Sequence, residues 1–232
     1  MLKKSFDECY CTSIHDIATL DDIADFVESH DGKLGNYEGT MFCPECRSAE
    51  LSYVHKTSKK RAFLRRKSSS RHLPYCSYIH EYSSIQFSKE YYESLTDGQI
   101  QDKMASMMRL LLRDPLVNRV ITTQATNNVE VDNPLLLKKE KNGQQIRRSL
   151  RRKKLSTWFG EEIAGELYLF YGEVKLKVQR IEKTNEAGES YFYCFLDIFC
   201  ENKNREWKKK TQIYRGATED SIDENKIYHF VA

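Results

Sequence analysis

Two cysteines, Cys43 and Cys46, stand in the run FCPEC with the spacing C-x2-C, and His72 and Cys76 follow in RHLPYC with the spacing H-x3-C. A C-x2-C turn aims two thiolates at one point while backbone amides hydrogen-bond the sulfurs. An H-x3-C spacing brings an imidazole and a third thiolate together on one turn of chain. Four ligands of this kind suit a tetrahedral Zn2+ ion. Four protein ligands also close the site against water, so the metal's role would be to hold the chain together. His80 is the competitor for the fourth place. His55 lies between the two ligand pairs and reads as a surface or strand-pairing residue. Cys9 and Cys11, spaced C-x-C, are a weaker signal and read as buried or free thiols.

Other chemistries lack their residues. The chain has no G-x-S-x-G nucleophile elbow, no phosphate-cradling G-x-x-x-x-G-K-[ST] loop and no G-x-G-x-x-G. A zinc deaminase needs H-x-E beside its cysteines, and that is missing. His80-Glu81 begins an H-E-x-x-H, but Ser84 stands where the second histidine belongs. One local pattern suits a divalent-metal nuclease: Glu173 and Lys175 in GEVKL, with Asp132 as the nearest upstream acid. The same spacing suits the solvent face of a strand whose Val174 and Leu176 are buried.

Taken together, FCPECRSAEL, the basic segment after it and RHLPYC resemble the N-terminal zinc-binding segment of competence protein CoiA-like families. They also resemble bacterial proteins of unknown role that open on Cys-Pro-x-Cys and close on His-x3-Cys. The resemblance covers about 40 of the 232 residues. It implies zinc on Cys43, Cys46, His72 and Cys76. CoiA-like proteins carry a nuclease-type domain after this segment, so a divalent-metal-dependent nuclease resting on Glu173 and Lys175 is the alternative function.

The elements that must position these residues are legible from pattern. Residues 50 to 56 and 60 to 66 read as two strands turning at KTSK, a hairpin that brings the two ligand pairs together. Residues 19 to 30 carry Leu20, Ile23, Phe26 and Val27 at helical spacing behind the N-cap candidate Thr19. Residues 96 to 113 place Ile100, Met104, Met107, Met108, Leu111 and Leu112 on one helical stripe that ends before Asp114-Pro115. From residue 165 onward the chain is rich in strands. The expected fold is α+β: a zinc-stabilised hairpin module with helices over 1–130, a basic linker over 131–164, and a small antiparallel OB-like β-barrel over 165–232.

Charge is distributed unevenly. The net charge is only +3, yet two blocks hold 17 of the 37 lysines and arginines, while the remainder has 20 bases against 33 acids. The first block includes Lys59, Lys60, Arg61, Arg65 and Arg66. The second includes Arg147, Arg148, Arg151, Arg152, Lys153 and Lys154. Such segregation points to a polyanion, DNA or RNA, with an acidic partner protein as the competing reading. In YFYCFLDIFC, the set Phe192, Cys194, Leu196, Ile198 and Cys200 is apolar and should face the core. The other set includes Tyr193, which with Trp207 would be left to stack unpaired bases.

The function expected from these features is a zinc-stabilised nucleic-acid-binding protein, non-catalytic, with a preference for single strands. A protein-interaction subunit of a bacterial defence or mobile-element system is the third reading. No apolar run reaches the roughly 18 residues that a membrane span needs, and the start of the chain lacks a signal peptide's apolar segment, so a cytoplasmic protein is expected. Seven cysteines in a reducing compartment favour metal binding or burial over disulfides.

Overall fold

The computed structural model describes residues 4–112, 132–141 and 143–232. It is an α+β chain that divides into two units, the first comprising residues 1–153 and 157–169, the second residues 154–156 and 170–232.

In the first unit, short strands surround the ligand segment. Strands β1 (Ser5–Phe6), β2 (Glu8–Cys11) and β3 (Asp16–Thr19) lead into helix α1 (Leu20–Ser29), followed by β4 (Met41–Phe42), β5 (Leu51–Val54) and β6 (Phe63–Arg66). They form two three-stranded sheets, ordered β1-β6-β5 and β3-β2-β4. The expected hairpin is present: β5 and β6 pair antiparallel from Leu51↔Arg66 to Val54↔Phe63, and Thr57 N–H closes the turn on the Lys60 carbonyl at 2.8 Å. Helix α1 starts where its N-cap dictates. The Thr19 hydroxyl accepts from Asp22 N–H while the Asp22 carboxylate accepts from Thr19 N–H, which satisfies two donors that the first turn leaves open. Ile23 and Val27, one turn apart, are its buried residues.

The core of this unit is unusual in composition. Cys9, Cys11, Cys43, Cys46 and Cys76 supply five of its thirteen buried hydrophobic residues, beside Phe6, Ile23, Leu51 and Leu64. Helices α2 (Ile85–Glu93) and α3 (Asp97–Leu111) follow. A second capping box, Thr96 with Gln99, sets the start of α3. Only Met107 of the methionine–leucine stripe is fully buried.

Residues read from sequence as a basic linker are ordered strands instead. β7 (Leu136–Lys141) and β8 (Gln144–Ser149) form an antiparallel hairpin, and β9 (Arg151–Lys154) follows at once. The misreading has a physical reason: Leu135, Leu136, Leu137, Leu150 and Leu155 are buried, and they flank the charge runs that dominate the composition.

The second unit is an open, curled sheet. Its path is β12 (Trp207–Gly216), β11 (Ser190–Glu201), β10 (Tyr168–Thr184), β13 (Tyr228–Val231). The long strand β10 pairs with β13 through Tyr171–Val174 and with β11 through Lys175–Thr184. Irregularities between Cys194 and Phe195, and between Ile198 and Phe199, interrupt the β11–β12 ladder; such bulges bend a sheet and increase its twist. The expected core face of β11 holds from Cys194 on, with Cys194, Leu196, Ile198 and Cys200 buried on the same side as Val174 and Leu176 of β10, while Phe192 is only half-buried and Asp197 of the opposite set is buried as well, paired with Lys209 at 2.8 Å.

Candidate metal centre

Cys43 leaves β4 and enters a tight turn. Its N–H donates to the Ala49 carbonyl at 2.8 Å, and its own carbonyl accepts from Arg47 N–H at 2.9 Å, so the chain reverses and returns Cys46 beside Cys43. Arg47 closes the turn in the left-handed region, at φ 52°, where a side chain is strained. Its guanidinium lies 4.1 Å from the Tyr10 ring centroid. The second pair arrives from the other end of the hairpin, with Cys76 N–H donating to the Leu73 carbonyl at 2.9 Å.

The four expected ligand atoms converge. All lie within 4.8 Å of one another. Cys43 Sγ is 3.8 Å from Cys76 Sγ, and His72 Nδ1 is 3.5 Å from Cys46 Sγ and 3.4 Å from Cys76 Sγ. The sulfurs are buried and the imidazole is half-buried, with Phe6 and Tyr78 about its ring. These four residues are therefore placed to hold a metal ion. Burial pushes the Cys43 thiol up to about 12, while hydrogen bonds from Cys43 and Cys76 lower Cys46.

Competing ligands stand elsewhere. His80 is outside the cluster, and its carbonyl accepts from Lys4. His55 packs edge-on against Tyr53. Cys9 and Cys11 are fully buried with sulfurs 3.5 Å apart and lie outside the four-ligand group.

The residue that sequence reasoning passed over is Glu45, inside the C-x2-C turn itself. Its side chain is only 4% exposed and sits against Arg152, itself 6% exposed, at 2.7 Å. Glu45 also accepts from Ser77 N–H (2.6 Å), Ser77 Oγ (2.5 Å) and Asn133 Nδ2 (2.6 Å). Burial alone would raise this carboxyl, but the Arg152 charge and the Ser77 donors overcome it and hold the pKa below the ordinary carboxylate value. Arg152 also stacks 4.2 Å from the Tyr78 ring centroid, and Asn133 donates to the Tyr75 carbonyl at 2.8 Å. The metal turn, the segment after Cys76 and strand β9 are thus tied by one buried polar network. A lone acid between two cysteines was the only sequence signal for it.

Arg152 is accordingly a correction to the charge reading, since it neutralises Glu45 in the interior. Lys153 is corrected likewise: it is 7% exposed and pairs with Asp7 at 3.2 Å. Arg148 meets Glu81 (3.3 Å) and Arg151 meets Glu166 (3.3 Å), while Arg147 donates to Gln145 and Lys154 is half-buried. Acids outside the run thus pair with four of these six residues, Arg148, Arg151, Arg152 and Lys153. The first block differs, because Lys59, Lys60, Arg61, Arg65 and Arg66 are exposed around the β5–β6 hairpin.

In the second unit Glu173 is exposed and faces His229 at 3.4 Å, and Lys175 lies 5.1 Å from the Trp207 ring. Asp132 belongs to the first unit and pairs with Lys138 at 2.9 Å. Among the described residues, the one group with metal-ligand geometry is the Cys3His cluster. No protein-family model matches the chain, and the searches of curated proteins and of solved structures gave no match. Among the described residues no helix is long and apolar enough to cross a membrane.

Proposed function

We propose that the chain is a zinc-stabilised nucleic-acid-binding protein that favours single strands. Support for zinc comes from edge lengths. A tetrahedral Zn2+ with sulfur at about 2.3 Å and imidazole nitrogen at about 2.0–2.1 Å sets S···S edges of about 3.8 Å and S···N edges of about 3.5 Å. Three of the six separations are 3.8, 3.5 and 3.4 Å, and all six lie within 4.8 Å. With four protein ligands the ion has no open position and serves the fold, as the resemblance to the CoiA-like zinc segment implies.

The observation that carries nucleic-acid binding is the outer face of the second unit's sheet. Antiparallel partners share a face, so the register puts Tyr191, Tyr193, Phe195 and Phe199 of β11 on the same side as Trp207 and Tyr214 of β12. Lys175, Lys177 and Lys183 of β10 lie on that side too. Tyr214 is 64% and Tyr191 49% exposed. Tyr193, Phe195 and Tyr214 form a ring cluster with centroids 5.6–6.0 Å apart, and Lys183 lies 5.9 Å from the Tyr193 ring. Rings interleaved with lysines on an open sheet suit unpaired bases with their phosphates alongside. An OB-like use of the curled sheet follows from the same face.

Fluorescence anisotropy with labelled single- and double-stranded DNA and RNA, with and without Mg2+, tests this reading. The expected result is tighter binding of single strands without cleavage. Tyr214→Ala should cost about 1–3 kcal/mol of binding at an unchanged salt slope. Replacing Lys59, Lys60 and Arg65 by Ala should reduce the log–log salt slope by about 1 per lost phosphate contact. Absence of binding to every polymer would leave the basic hairpin to a protein partner, and cleavage lost in Glu173→Ala would favour the nuclease.

A further inference from the structure

The first unit holds a cleft of about 230 Å³ that neither the metal nor the sheet face uses. Phe6 of β1, Phe63 of β6 and Leu20 form its apolar wall, and Asp7, Asp21, Arg61, Lys153 and Trp158 bring the polar chemistry. Its volume lies below the roughly 300–1,000 Å³ of drug-sized pockets and suits one flat ring system.

Charge in the cleft is balanced. Lys153 pairs with Asp7 at 3.2 Å, and Arg61 faces Asp21 at 4.0 Å. A balanced cleft does not draw in a phosphate; it suits a neutral ligand with a polar edge. Trp158 offers the stacking surface. It is 51% exposed, its backbone N–H donates to Asp21 at 3.4 Å, and the Arg61 guanidinium lies 4.0 Å from its ring centroid. A large ring left half in water while its backbone is tethered to a cleft wall favours a planar partner.

The edge chemistry narrows the ligand. An ionised carboxylate only accepts hydrogen bonds, with several lone pairs each, and an ammonium only donates. Asp7 and Asp21 therefore supply acceptors, and Lys153 and Arg61 supply donors. Guanine is the base whose pairing edge presents two donors, N1–H and the N2 amine, beside one acceptor, O6. Adenine offers one donor there, and uracil one donor between two acceptors.

We infer that this cleft holds one unpaired guanine base, stacked on Trp158 with its edge on Asp7, Asp21 and Lys153. Lys59 and Lys60 are exposed and immediately precede Arg61 in the chain. This site stands apart from the single-strand reading of the second unit, and either can fail without the other.

The chain has two tryptophans, so Trp207→Phe leaves Trp158 as the sole reporter. Its emission is followed while guanosine, inosine, adenosine and uridine monophosphates are titrated, with inorganic phosphate as control. Saturable quenching by guanosine monophosphate is expected, with inosine monophosphate, which lacks the N2 amine, about tenfold weaker. Phosphate alone should do nothing. Calorimetry on the otherwise unaltered chain gives the second arm: Trp158→Leu, at an exposed position, should keep the fold and lose the heat of guanosine monophosphate binding. The inference is overturned if guanosine monophosphate quenches no more than phosphate, if the adenine nucleotide gives the same curve, or if Trp158→Leu binds guanosine monophosphate like the parent.

Discussion

The two units solve the same problem, a small core, by different means. Around the hairpin, five thiols take the place of aliphatic side chains, and much of what surrounds them is polar: a half-buried imidazole and a fully desolvated carboxylate–guanidinium pair. In the second unit, the core is the inward half of an alternating pattern, Val174, Leu176, Cys194, Leu196 and Ile198, with a bulged sheet wrapped over it. The first arrangement depends on a few specific contacts and fails abruptly when one is lost. The second spreads its stabilisation over area, at roughly 25 cal/mol per Å² of apolar surface, and loses it piecemeal.

The sharpest way to break that contrast is to remove the metal that the Cys3His cluster is proposed to hold. Structural zinc sites contribute on the order of 10–16 kcal/mol at neutral pH, comparable to a domain's whole stability. Chelation, or Cys43→Ser, should therefore unfold the hairpin module while the second unit keeps its strands. Hydrogen exchange resolved by segment would read this, and elemental analysis should find about one zinc per chain. Equal loss of protection in both units would erase the distinction.

Next in size is the buried pair. Arg152→Ala leaves the Glu45 charge desolvated and should cost about 3–5 kcal/mol in urea unfolding. Replacing the exposed Arg65 instead should move stability by no more than about 0.5 kcal/mol. An Arg152 variant as stable as the parent would show that water reaches Glu45.

The second unit is probed by a pair of substitutions on opposite faces. Leu196→Ala should cost about 2–5 kcal/mol through the cavity it leaves, without altering the outer rings. Tyr214→Ala, at a 64% exposed position, should melt like the parent and show its effect only in oligonucleotide binding. Early melting of both would make Tyr214 part of the core.

The smallest effect concerns Lys4. Burial, and then the nearby Arg152 charge, lower its pKa from the ordinary 10.5 to about 8. Its ammonium lies 4.0 Å from the Tyr82 ring centroid. Because the folded chain releases this proton before the unfolded chain does, the unfolded state binds more protons between pH 8 and 10.5, and stability rises with pH across that window. The urea midpoint should climb there in the parent and stay flatter in Lys4→Met.

What could be read from sequence was whatever is written within one turn or one strand. Thr19 announced its helix because an N-cap and the apolar spacing behind it lie within a few turns of chain. The ligand set was legible because each pair is local and the hairpin between them has a strand period. The face of β11 was legible because alternation is a property of the strand alone. Glu45 was not, since its meaning depends on Arg152, and a charge run does not say which of its members turn inward. The same blindness made β7 to β9 look like a linker: Leu150 and Leu155 are buried at either end of β9, but five of the six residues from Arg148 to Lys153 are charged or hydroxylated.

The Glu45–Arg152 pair also has a meaning in time. Its members are 107 residues apart, whereas Cys43 and Cys76 are separated by 33. As the chain leaves the ribosome, the four clustered residues Cys43, Cys46, His72 and Cys76 emerge close together, and the hairpin between them can close early. Glu45, in the turn between the first two cysteines, then waits for its counter-charge until β9 has been synthesised. Long-range contacts of this kind slow folding and lengthen the life of partly formed states. While the residues between 76 and 152 are being made, the first unit therefore lacks the partner of its buried carboxylate. A nascent chain stalled before β9 should be markedly more protease-sensitive than one released just after it.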